Sequence, residues 1–135
     1  MADIELLLQK PFKVIDILPE RVPDDRAKAF FEAEKLFLSP ERYGKIRSSF
    51  AQIVLKLSLY YDIECFVDDG DGETAGPSEL YDLVEGNDHS ILLLIGERSL
   101  LQVDRDDLYM TLYNADTDLL LLVRDLAMSE GLFVR

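Results

Sequence analysis

The longest regular pattern in the chain runs from Pro40 to Tyr60, where Tyr43, Ile46, Phe50, Ile53, Val54, Leu57 and Tyr60 recur at three-and-four spacing. That spacing puts them on one face of a helix. Ser39-Pro40-Glu41 supplies its start, with a capping serine, a proline pre-set for the first turn and an acid at the positive end of the dipole. Arg42, Lys45, Arg47, Ser49 and Gln52 read as its solvated side. A preceding helix is predicted from Asp24 to about Leu38, with Ala27, Phe30, Phe31, Ala33, Phe37 and Leu38 as its apolar positions. Before it, Phe12–Leu18 mixes β-branched residues with polar Lys13 and Asp16 and stops at Pro19 and Pro23, which reads as a first strand. Residues 1–10 show no clean period, so strand, helical turn and frayed arm all stay open there.

The second half reads as strands with helical interruptions. Ile63–Val67 is a short strand, and residues 68–77 concentrate Asp, Gly and Pro as a mobile loop. A helix of about two turns is predicted from Pro77, ending near Gly86-Asn87. Ile91–Ile95 is continuously apolar, as a strand buried on both faces would be. Turns at 96–98 and 104–107 link it to Leu100–Val103 and to Leu108–Tyr113, completing a three-stranded meander. In the third of these strands Leu108, Met110 and Leu112 should face the core, with Tyr109, Thr111 and Tyr113 on the opposite surface. Asn114–Asp118 opens a final helix closed by Gly131, with Leu119, Leu122, Val123, Leu126 and Ala127 facing inward. Leu120 and Leu121 widen that stripe, as if the helix also touched another element or a second chain. Leu132–Val134 is a candidate edge strand.

These elements define one α+β domain over residues 1–135: a mostly antiparallel sheet with the meander at its centre and helices packed on one face. At 135 residues with 48% hydrophobic side chains, the chain can bury a core without disulfide or metal staples.

Charge changes the picture more than composition does. Residues 1–60 hold 10 basic and 9 acidic side chains, whereas residues 61–135 hold 4 and 18, so the second half carries the whole excess behind the net −13. A field of that sign repels phosphate backbones and anionic lipid, which disfavours nucleic-acid and membrane-surface partners and favours a basic protein. The single cysteine, Cys65, lies in an apolar run and is expected to be a core thiol in a reducing, cytoplasmic setting. Met1–Glu5 carries acids where a leader would carry basic residues, and the longest apolar runs are five residues against the roughly twenty of a membrane helix.

No residue is nominated as catalytic, metal-binding or cofactor-binding. Asp69, Asp71 and Glu73 alternate like the first ligands of a calcium loop, but Thr74 stands where glycine is required and Leu80 where a bidentate glutamate is. His89 is the only histidine, which excludes a His-pair zinc site; it reads as a surface residue at a strand entrance. Gly70-Asp71-Gly72 has the glycines of a phosphate loop without its lysine and among acids that would repel phosphate. Carboxylates are too abundant for any pair to be singled out as acid and base. Tyr109 and Tyr113 share one strand face, and tyrosine gives large contact area at low entropy cost.

Pro11–Pro19 through Val22-Pro23, together with Leu126-Ala127 and Glu130–Phe133, resemble a pattern found in small bacterial domains of unknown function. The resemblance implies no activity and no site residue. The leading expectation is therefore a non-enzymatic, acidic protein-binding domain, immunity- or antitoxin-like, that meets a basic protein through Asp68, Asp69, Asp71, Asp104, Asp106, Asp107, Tyr109 and Tyr113. The alternative is a small-molecule-binding domain or enzyme whose site is assembled from scattered residues. As an assembly the chain is expected to be a monomer, or a homodimer burying Leu120 and Leu121.

Overall fold

The computed structural model describes residues 3–135. Among these, the chain forms helices α1 (Ile4–Leu7), α2 (Ala27–Phe37, entered by a 3-10 turn at Asp24–Arg26), α3 (Pro40–Leu57), α4 (Pro77–Gly86) and α5 (Thr117–Ser129). The strands are β1 (Phe12–Asp16), β2 (Ile63–Val67), β3 (Glu73–Thr74), β4 (Ile91–Ile95), β5 (Ser99–Val103), β6 (Tyr109–Tyr113) and β7 (Phe133–Val134). They form one antiparallel sheet in the order β3-β2-β4-β5-β6-β1-β7, with the meander β4-β5-β6 at its centre. The fold class is α+β.

The helical period and the strand alternation meet in one core. Phe50, Ile53, Val54 and Leu57 of α3, Leu80 and Val84 of α4, and Leu119, Val123 and Ala127 of α5 pack on Ile15, Ile63, Leu93, Ile95, Leu101, Met110 and Leu112 of the sheet. Every second strand residue therefore points at the helices. The expected burial of Leu108, Met110 and Leu112 is found, although Leu108 precedes the strand proper. Helix α5 is capped by Asp116, whose carboxylate accepts the Leu119 N–H at 2.8 Å, and is followed by Gly131 at φ +73, a backbone conformation that suits glycine.

Within the segment 1–10 that the pattern leaves open, Ile4–Leu7 form α1. This helix lies on the opposite sheet face, where Leu7 packs with Leu94 and Leu100. It covers only part of that face; Tyr113 packs against this cluster, whereas Phe12 and Tyr109 stay exposed.

Three expectations are corrected. Helix α2 buries none of its residues, and Phe31 and Leu36 are 59% and 61% exposed, so its apolar positions do not form a core face. The physical reason is placement: α2 flanks α3 at the rim of the helical layer and does not lie over the sheet. Second, the loop 68–77 is not without structure, because Glu73 and Thr74 pair with Cys65 and Glu64 as β3. Asp68 and Asp69 adopt φ of 49° and 62°, and the Gly70 N–H donates to the Val67 carbonyl at 2.9 Å, which turns the chain back. Third, Arg47 is not on the solvated side of α3. It is 2% exposed and among the largest fully buried side chains.

Candidate protein interface

Arg47 occupies the middle of the stripe it was expected to oppose: positions 43, 47, 50 and 54 follow one another at helical spacing. Its Nε and Nη2 donate to the Val84 carbonyl at 2.9 and 2.6 Å, in the last turn of α4, and its Nη1 donates to the Asp104 carbonyl at 3.0 Å. The guanidinium carbon stands 6.0 Å from the centroid of the Phe50 ring. A buried cation is costly unless its donors are satisfied, and three backbone bonds from one rigid fork do that while tying the end of α4 to the turn after β5.

That turn, residues 104–108, is held by two further side chains. The Tyr43 hydroxyl donates to the Asp107 carbonyl at 2.7 Å. Asn87, left-handed at φ 55 where α4 ends, accepts the Asp106 N–H at 2.8 Å and donates its Nδ2 to Asp106 Oδ1 at 2.9 Å. Helices α3 and α4 thus pin three consecutive segments of the turn, and Asp104, Asp106 and Asp107 are presented on an ordered backbone. The signal for this was in the sequence only as an arginine within the apolar period and an asparagine after a helix.

Electrostatics at the turn follow from the crowding. Burial pushes the Asp107 carboxyl above the ordinary carboxylate range, Asp104 pushes the same way, and Arg47 beneath it pulls back. Tyr109 is raised first by the charge of Asp107 and then by burial, and Tyr113 by burial and Asp104. A further negative charge is unwelcome at each of these groups.

The eight candidate residues do not form one cluster. Asp104, Asp106, Asp107 and the 42%-exposed Tyr109 lie together at the end of β5 and the start of β6. Tyr113, at the other end of β6, is linked to them by side chains: its hydroxyl donates to Gln102 Oε1 at 3.1 Å, and Gln102 Nε2 donates to Asp104 Oδ2 at 3.1 Å. Asp68, Asp69 and Asp71 follow β2, at the same end of the sheet but on the far side of β4 and β5. There Asp68 Oδ2 meets His89 Nδ1 at 2.6 Å and Oδ1 accepts the Ser90 N–H at 3.0 Å, contacts that hold the Asp68 carboxyl below its ordinary range. His89 is indeed at the surface, but its carboxylate partner is Asp68 and not the adjacent Asp88.

Two concavities flank Tyr109. One, of about 310 Å³, runs between the loop after β1, the start of α2 and the β5–β6 turn. The other, of about 510 Å³, is the open sheet face beside Phe12, Thr111 and Tyr113. Arg21, Asp107, Tyr109 and Arg135 border both. Arg135 is paired with Asp16, its Nε donating to Oδ2 at 2.9 Å with Nη2 2.9 Å from the same oxygen, and Arg21 lies 3.1 Å from Asp24 in an exposed pair. Sequence reasoning missed Asp16 and Arg135 because nothing local marks a contact between residues 119 positions apart.

Among the described residues, no three His, Cys, Asp or Glu side chains converge to hold a metal ion, and no helix is long and apolar enough to cross a membrane. Cys65 is buried, and burial followed by the charge of Glu73 pushes its thiol up. Gly72 has a packing role: a Cβ there would stand 2.6 Å from both Glu64 Oε1 and the Phe66 ring. Leu121 is 54% exposed, and no element of the described residues covers it. Comparison with protein-family models, with curated proteins and with solved structures returns no match to this chain.

Proposed function

We propose that this chain is a non-enzymatic, acidic protein-binding domain that recognises a basic protein, in the manner of immunity or antitoxin proteins that neutralise a basic toxin or nuclease. The observation that carries the reading is the β5–β6 turn: Asp104, Asp106 and Asp107 are fixed by Arg47, Asn87 and Tyr43 beside exposed Tyr109. An ordered turn gives up little conformational freedom on binding, so its charges serve association more effectively than those of a flexible tail. Tyr109 adds the aromatic surface that interface hot spots favour. Acidic charge at Asp68, Asp69 and Asp71 extends the same end of the sheet and would steer encounter without needing contact.

The test is capture of partners from the source organism followed by stopped-flow association with the captured protein. A basic partner is expected, and reversal to lysine at Asp104, Asp106 and Asp107 should slow its association by about tenfold or more at low salt, with the difference shrinking as salt is added. An acidic partner, or an on-rate indifferent to the triple reversal, overturns the reading.

A further inference from the structure

We infer that the cleft between the loop after β1, the start of α2 and the β5–β6 turn receives the side chain of an arginine on the basic partner. The inference rests on the reading above and makes it specific. The cleft, about 310 Å³, is lined by apolar side chains that include Val22, Phe30 and Leu108 and by acids that include Glu34 and Asp107. Arg135 is paired with Asp16, Arg21 makes only a solvent-exposed contact with Asp24, and the lining holds six acids against these two cations, so the cleft keeps an excess of negative charge. Glu34 and Asp107 both line the cleft, one from α2 and one from the β5–β6 turn.

A lining that combines apolar and acidic side chains matches a side chain with an aliphatic stem and a cationic head. A bare metal ion or a small inorganic cation would leave the apolar part of the lining unused. Between the two basic side chains, arginine fits better: its guanidinium is planar, sheds water more readily than an ammonium, stacks on rings such as Phe30 and Tyr109, and can bond two carboxylates at once. The exposed first turns of α2 also acquire a purpose. Helix α2 buries nothing in the core, yet it supplies Phe30 and Glu34 to the cleft wall.

The experiment is an NMR titration of the intact protein at low salt with a blocked arginine-containing tripeptide, alongside its lysine and glutamine counterparts and spermidine. Saturable amide shifts confined to the neighbourhood of Val22, Phe30, Asp107 and Tyr109 are expected for the arginine peptide, weaker ones for lysine and none for glutamine. Glu34→Gln and Phe30→Ala alter side chains outside the buried core, so they should fold normally and should weaken the arginine peptide by about fivefold each, the loss of one charged or stacked contact. Shifts spread over the whole acidic surface, shifts unaffected by both variants, no shifts at all, or spermidine binding as tightly as the arginine peptide would each overturn the inference. Its failure is separable from that of the function: a captured basic partner that depends on Asp104, Asp106 and Asp107 but not on Phe30 and Glu34 sinks the cleft and leaves the interface. A cleft that takes the arginine peptide while captured partners are acidic does the reverse.

Discussion

Arg47 Nη1 donates to the Asp104 carbonyl at 3.0 Å from inside the hydrophobic core. A fully buried guanidinium thereby sits under an acidic turn of the sheet, anchoring its backbone and offsetting part of the repulsion among its carboxylates. Replacing it by methionine, which fits the space but donates nothing, leaves the Val84 and Asp104 carbonyls without this partner. A loss of about 2–4 kcal/mol is expected, and Arg47→Lys should lose nearly as much because one ammonium cannot span both carbonyls. Urea midpoints of the two variants check this; a methionine variant as stable as the parent would show the fork to be dispensable.

Asn87 offers a milder probe of the same turn. Glycine keeps the left-handed backbone at position 87 and removes both bonds to Asp106, so Asn87→Gly should cost about 1 kcal/mol. Alanine should cost more, since it also resists φ 55. Hydrogen exchange at the Asp106 amide, which donates to Asn87, should accelerate in either variant while the amides of β4 stay protected.

The raised Asp107 carboxyl has a definite sign in the pH dependence of stability. Its folded value lies above its unfolded value, so the folded state holds the proton more tightly and stability falls as pH rises from the ordinary carboxylate value of 3.8 through the raised one. Asp68 works oppositely: its contribution is present above the ordinary value and is lost as pH falls through its lowered one. Asp107→Asn should therefore be neutral or stabilising at pH 7 and should flatten the decline above pH 3.8. Urea unfolding across that range, parent against variant, is the measurement.

Cys65 faces the core from β2, and both burial and the charge of Glu73 keep its thiol protonated. Labelling by a thiol reagent at neutral pH should be slower than that of the urea-unfolded chain by about a hundredfold or more, because only the thiolate of an opened state reacts. Labelling as fast as in urea would mean that the β2–β3 edge opens freely.

Much of the architecture was legible along the chain because it depends on neighbours in sequence. Alternation at Tyr109–Tyr113 set which residues face the helices, the Ser39-Pro40-Glu41 start located α3, and the turn signals at 96–98 and 104–107 delivered the meander. Even Arg47 could have been assigned inward, since it lies at helical spacing from Tyr43, Phe50 and Val54. Its position outweighs its charge because backbone carbonyls of α4 and of the turn after β5 accept its donors.

What the sequence determined by itself was therefore the class of fold, the core positions of the strands and of α5, and the concentration of negative charge in the second half. Only the tertiary structure decided which of those charges share a surface. It set Asp106 and Asp107 beside Tyr109 and Glu34, left Asp68 to His89, and joined Asp16 to Arg135. Periodicity describes each element against its own axis; the meeting of side chains far apart in the chain depends on strand order and helix placement, which no local pattern encodes.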